Sequence, residues 1–67
     1  MTNTAKLRDA IRDSGLKIEF IAEQIGMTRF GLYKKLETGS EFKPSQVATL
    51  CELLGLDEAT RKEIFLI

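Results

Sequence analysis

The sequence predicts an all-α fold, a compact bundle of five short helices, and three observations carry that prediction. Apolar residues recur at helical spacing along the chain, as where Leu7, Ala10 and Ile11 hold the i, i+3 and i+4 positions of one face and small Ser14 the i+7 position. No segment alternates apolar and polar residues with the period of two that a half-buried strand requires. Glycines and capping residues divide the chain at short intervals, and Pro44, the single proline, stands where a helix begins rather than inside one.

The elements follow in order. The first helix runs from about Thr4 to Ser14 and stops at Gly15. The second spans about residues 18–25. The third, about 28–37, starts with Thr28 as its N-cap and ends before Gly39. Residues Thr38 to Lys43 form a polar connection. Pro44-Ser45 then opens a fourth helix, about 45–54, whose stripe of Val47, Leu50, Cys51 and Leu54 faces inward before Gly55 ends it. Asp57 caps a fifth helix, about 57–66, with Glu58 placed favourably near its positive end. The expected core is Leu7, Ile11, Ile21, Ala22, Ile25, Leu32, Leu36, Val47, Leu50, Leu54, Leu56 and Ile64. Burying such side chains is worth roughly 1.5–3 kcal/mol each, enough to offset most of the chain entropy with a small surplus.

Length and composition bound what this fold does. Sixty-seven residues make one domain, residues 1–67, near the lower limit for a self-sufficient core. An apolar content of 43% with one Pro and five Gly argues for a folded chain. No apolar run approaches the roughly 18 residues of a membrane span. The opening MTNTAKLRDAIRD lacks the basic-then-apolar pattern of a signal peptide. Cys51 is the only cysteine, so there is no disulfide frame, and a reducing cytoplasm fits best. Its place on an apolar stripe marks it as a small core residue. With no His, no cluster of metal ligands and no phosphate-cradling glycine loop, the residues argue against an enzyme and call for no cofactor.

The stretch from Ile18 to Leu36, IEFIAEQIGMTRFGLYKKL, carries the functional signal. It has the spacing of a helix-turn-helix: small Ala22 lets two helices cross closely, and Gly26 tolerates positive φ at the corner. Ile21, Ile25 and Met27 plug the angle between them. Thr28 to Lys35 then lie on a protruding helix whose outer face is placed to read a DNA major groove. Formal net charge is zero, which disfavours strong nonspecific binding to nucleic acid, but the charges are unevenly spread. Met27 to Leu36 holds Arg29, Lys34 and Lys35 and no acid, whereas residues 47–67 carry two basic and four acidic side chains. Such a dipolar layout orients a small domain on DNA without overall positive charge.

The chain resembles the small Cro and repressor amino-terminal domains of bacteriophages, within the wider XRE-like helix-turn-helix family. The resemblance covers about Leu7 to Phe65 and is strongest in IAEQIGMTRFGLYKKLETG and PSQVATLCELLGL. It implies a lambda-repressor-like DNA-binding fold whose third helix enters the major groove. Carried over, Thr28, Arg29, Phe30, Tyr33 and Lys34 become the residues facing base edges. Arg29 suits a bidentate contact to guanine or a grip on phosphate, and Phe30 suits a thymine methyl group. The bland alternatives are a solvated basic face for Arg29, Lys34 and Lys35, a protein interface for Phe30, and a Tyr33 ring packed beside the core. Phosphate contacts are expected from Lys17, Lys35, Lys43, Ser45 and Gln46, at the side of the third helix and the starts of the second and fourth.

The chain departs from the family pattern at three positions. Ile18 stands where many members carry a phosphate-contacting Gln, leaving Lys17 or the backbone of Glu19 to supply the contact. Gly31 lies inside the reading helix at a cost of about 1 kcal/mol relative to Ala, and Lys35 occupies an often apolar position. The apolar tail Phe65-Leu66-Ile67 is expected partly to pack on the first helix and partly to form a two-fold dimer interface. The resemblance thus implies a Cro-like phage or prophage repressor. It would act as a homodimer on a near-palindromic double-stranded operator in the cytoplasm of a bacterial host. The alternative is a protein-interaction module on the same fold, an antirepressor that sequesters a second regulator; zero net charge, Phe30 and the apolar tail suit it.

Overall fold

Caps mark off the helices. The computed structural model describes residues 2–66, and among them it has five α-helices and no strand: α1 (Thr4–Ser14), α2 (Ile18–Gln24), α3 (Arg29–Thr38), α4 (Pro44–Leu54) and α5 (Glu58–Phe65). Side-chain oxygens satisfy N–H groups that helix starts leave without partners. Asn3 Oδ1 accepts from the Lys6 N–H at 3.2 Å, Thr28 Oγ1 from Gly31 at 3.0 Å and Asp57 Oδ1 from Thr60 at 2.8 Å. At α4, where Pro44 lacks a donor, Gln46 Oε1 reaches back to the N–H of Lys43 at 2.9 Å. The boundaries differ from the sequence expectation by about one residue, as helix ends commonly do.

The corner between α2 and α3 is built by backbone. The Met27 N–H returns to the Ala22 carbonyl at 2.8 Å and the Gly26 N–H to Glu23 at 3.1 Å. This pair of bonds needs a residue in the left-handed region, and Gly26 supplies it with φ of 74°. Four residues therefore redirect the chain from one helix to the next.

α2 packs on α3 and α4, while α1 packs against α3, α4 and α5. The core holds Leu7, Ile11, Ile21, Ala22, Ile25, Leu32, Leu36, Phe42, Leu50, Ile64 and Phe65. Val47, Leu54 and Leu56, expected inside, are only partly buried and pack on its edge, together with Met27 and Cys51. Phe42 was not expected in the core. It comes from the polar connection after α3, and its ring meets Phe65 edge-on at a centroid distance of 6.3 Å. Partial burial pushes the Cys51 thiol up in pKa, with the charge of Arg61 partly opposing, which keeps it a protonated packing residue.

The two ends of the described chain meet. The Asn3 N–H donates to the Ile64 carbonyl at 2.6 Å, and Lys6 pairs with Glu63. The Cα radius of gyration is 10.5 Å, near the ~11 Å that a chain of this length reaches when fully condensed. No helix of the described residues is long and apolar enough to cross a membrane.

Asp57 gives the fold a pH-dependent component. Its bonds to Thr60 hold the carboxyl below its ordinary pKa. A depressed folded-state pKa contributes stability that is complete above the unfolded value, about 3.9 for Asp, and is lost as pH falls through the folded value. The expected result is that the melting-temperature difference between wild type and Asp57→Asn changes below about pH 4 and is constant above about pH 5. A difference independent of pH throughout would contradict this assignment.

Candidate functional site

The exposed face of α3 collects the residues singled out in the sequence. Leu32 and Leu36 are buried at 0% and 4% exposure and fix the helix on the core. The opposite side then carries Arg29, Phe30, Tyr33 and Lys34 in water. Phe30 is 74% exposed and Tyr33 52%, far more than large aromatic rings are usually left. Lys34 Nζ lies 5.9 Å from the Phe30 ring centre, within cation–π range. Phe30, Tyr33, Lys34 and Glu37 line a shallow recess along this face, so a carboxylate closes the far end and the basic part is confined to the first two turns.

Thr28 is exposed but already employed, because its hydroxyl oxygen caps α3. Gly31 has a local reason. A Cβ there would sit 3.1 Å from Thr28 Oγ1 and 3.5 Å from Met27 Cε. Glycine leaves room for the cap, which explains a residue that otherwise weakens a helix. Arg29, the first residue of α3, has its Nη1 3.5 Å from Glu19 Oε1 in the first turn of α2. Reasoning from the sequence gave Glu19 no side-chain role; the pair joins two elements across the corner, and no local spacing signals it.

The residues expected to touch phosphate are not equally available. Lys35 is half-buried, donates from Nζ to the Glu41 carbonyl at 2.7 Å, and lies 5.4 Å from the Phe42 ring centre. It ties α3 to the following connection rather than standing free beside it. Lys17 and Lys43 are exposed at the N-cap positions of α2 and α4. Ser45 is exposed in the first turn of α4, while the Gln46 side-chain oxygen is taken up by the Lys43 N–H.

The expected dimer interface divides. Phe65 is 4% exposed and serves its own core, so it offers no surface to a second copy. The reason is Phe42, which provides an aromatic partner within the chain. Leu66 is 57% exposed, and Ile67 lies outside the described residues. Phe20, on the second helix, is 44% exposed.

No family model matches this chain, and no curated protein or solved structure matches it. The reading of the site therefore rests on the residues and their arrangement.

Proposed function

We propose that the chain is a sequence-specific, double-stranded DNA-binding regulator of the Cro and repressor type. In this reading α2 and α3 form a helix-turn-helix within a lambda-repressor-like domain. The observation that carries it is the face of α3, where Arg29, Phe30, Tyr33 and Lys34 stand exposed on a helix anchored by Leu32 and Leu36. Those side chains match what a major groove presents: a guanidinium for guanine, an aromatic ring for the thymine methyl, and a cation for the flanking backbone. Thr28 stands at the tip, with its hydroxyl hydrogen left for a base or phosphate. Lys17, Lys43 and Ser45 supply the phosphate contacts, with smaller shares from Gln46 and Lys35, which have duties inside the domain. Repression follows from occupancy of an operator in a phage or prophage, in the cytoplasm of a bacterial host.

A net charge of zero makes a lone copy a weak binder. Two copies related by a two-fold axis, in contact through Leu66 and its surroundings, would place two α3 helices about 34–36 Å apart on a near-palindromic site. The exposure of Phe30 and of Leu66 also supports a second reading, in which the domain holds another regulator protein.

Selection from a random duplex pool decides between them. Enrichment of a short two-fold symmetric sequence supports the regulator, whereas a folded protein that enriches nothing belongs to the second reading. On the selected site, Arg29→Ala is expected to weaken binding by about 1–3 kcal/mol and to relax preference at one base pair. Equal weakening on every duplex would make Arg29 a phosphate contact, and an unchanged affinity would remove it from the interface.

A further inference from the structure

Arg29 occupies an unfavourable place for a cation. It opens α3, where the unpaired N–H groups make the helix end positive, and the first turn of α3 holds no acid of its own. The compensating charge comes from the neighbouring helix, with Glu19 Oε1 3.5 Å from Arg29 Nη1. Both side chains are about two-thirds exposed, at 60% and 64%, so in the free protein the pair is worth little to folding. Its significance lies in the face on which it stands.

We propose that Glu19 is a positioning residue that sets how strongly Arg29 discriminates between sequences, an inference that rests on the DNA-binding reading above. Arginine has five N–H donors in a planar fork. A carboxylate that takes the donor nearest α2 leaves the others free for the O6 and N7 atoms of guanine and limits the swing of the side chain toward phosphates. A docked duplex excludes water from this corner, and the attraction between the two charges rises as the effective dielectric falls. Glu19 thus suppresses background binding and aims the group that reads sequence. A purely stabilising surface pair would do neither.

The test is a double-mutant cycle of Glu19→Gln and Arg29→Ala. It is read on a duplex carrying the selected site and on a scrambled duplex of equal length, each at several salt concentrations. Glu19→Gln is expected to leave the melting temperature unchanged and to tighten binding to the scrambled duplex. The ratio of specific to scrambled affinity should fall about tenfold, within the range that one good bidentate contact to guanine provides. The salt dependence on the scrambled duplex should steepen by about 0.9 in log–log slope, the signature of one more phosphate contact. In the Arg29→Ala background, Glu19→Gln should leave the ratio unchanged. An unaltered ratio in the single variant, or an equal fall without Arg29, overturns the role given to Glu19 while the DNA reading stands. If the wild-type protein enriches no duplex, the DNA reading falls and this inference with it, a result obtained before any variant is made.

Discussion

Leu32→Ala is expected to lower stability by about 2–5 kcal/mol, the largest effect of any single truncation on α3. Leu32 is fully buried on the side of α3 that meets α1 and α2. Removing its isobutyl group withdraws apolar surface and leaves a void that rigid neighbours only partly fill. A domain of this length has a total stability of about 3–10 kcal/mol, so the loss consumes a large share of it. Urea titration followed by far-ultraviolet circular dichroism should show the midpoint shifted strongly to lower denaturant, or no folded baseline at 37 °C. A shift below about 1 kcal/mol would mean that α3 is held by something other than this anchor.

Phe42→Ala is expected to cost about 3–5 kcal/mol, although the residue sits in a connection between helices. The ring is 7% exposed and meets Phe65 edge-on, and the Lys35 ammonium stands above it. Its removal leaves Phe65 without its aromatic partner and loosens the attachment of α5 to the rest of the core. Phe42→Leu retains much of the buried volume and should cost clearly less, because volume-conserving exchanges are tolerated best. Equal losses for the two variants, measured by the same titration, would show that the aromatic contact matters and filled volume does not.

These two residues also separate what local sequence reveals from what it hides. Leu32 was legible because it stands one helical turn before Leu36 on α3 and at the helix-turn-helix spacing from Ile25. Caps were legible for a similar reason: Thr28 and Asp57 precede helical stretches, and each makes the bond its type predicts. Phe42 has no periodic neighbours, and a single aromatic in a polar stretch gives no sign of which way it turns. Three apolar residues at the chain end likewise do not show that Phe65 faces inward while Leu66 does not. The helical stripe gave the direction of Val47, Leu54 and Leu56 but not their depth, because depth depends on how far neighbouring helices extend over them.

The candidate site divides along the same line. Which residues line the face of α3 followed from counting along one helix. What those residues do inside the molecule did not. Lys35 engages a carbonyl six residues later, across the start of a loop, and Arg29 meets an acid ten residues earlier, across a corner. Both contacts depend on where the corner and the connection place the backbone, and so on packing of the whole domain.

The division of labour around α3 has an evolutionary consequence. Thr28, Leu32, Lys35 and Leu36 keep the helix capped, buried and tied down, while Phe30, Tyr33 and Lys34 are exposed. Exposed positions of the second kind exchange residues at a cost usually within about 0.5 kcal/mol. The outward three positions are therefore free to drift, or to be redesigned, one at a time without endangering the scaffold. A lineage carrying this domain has a short route to new partners, in which the preference changes while the frame that presents it is inherited intact.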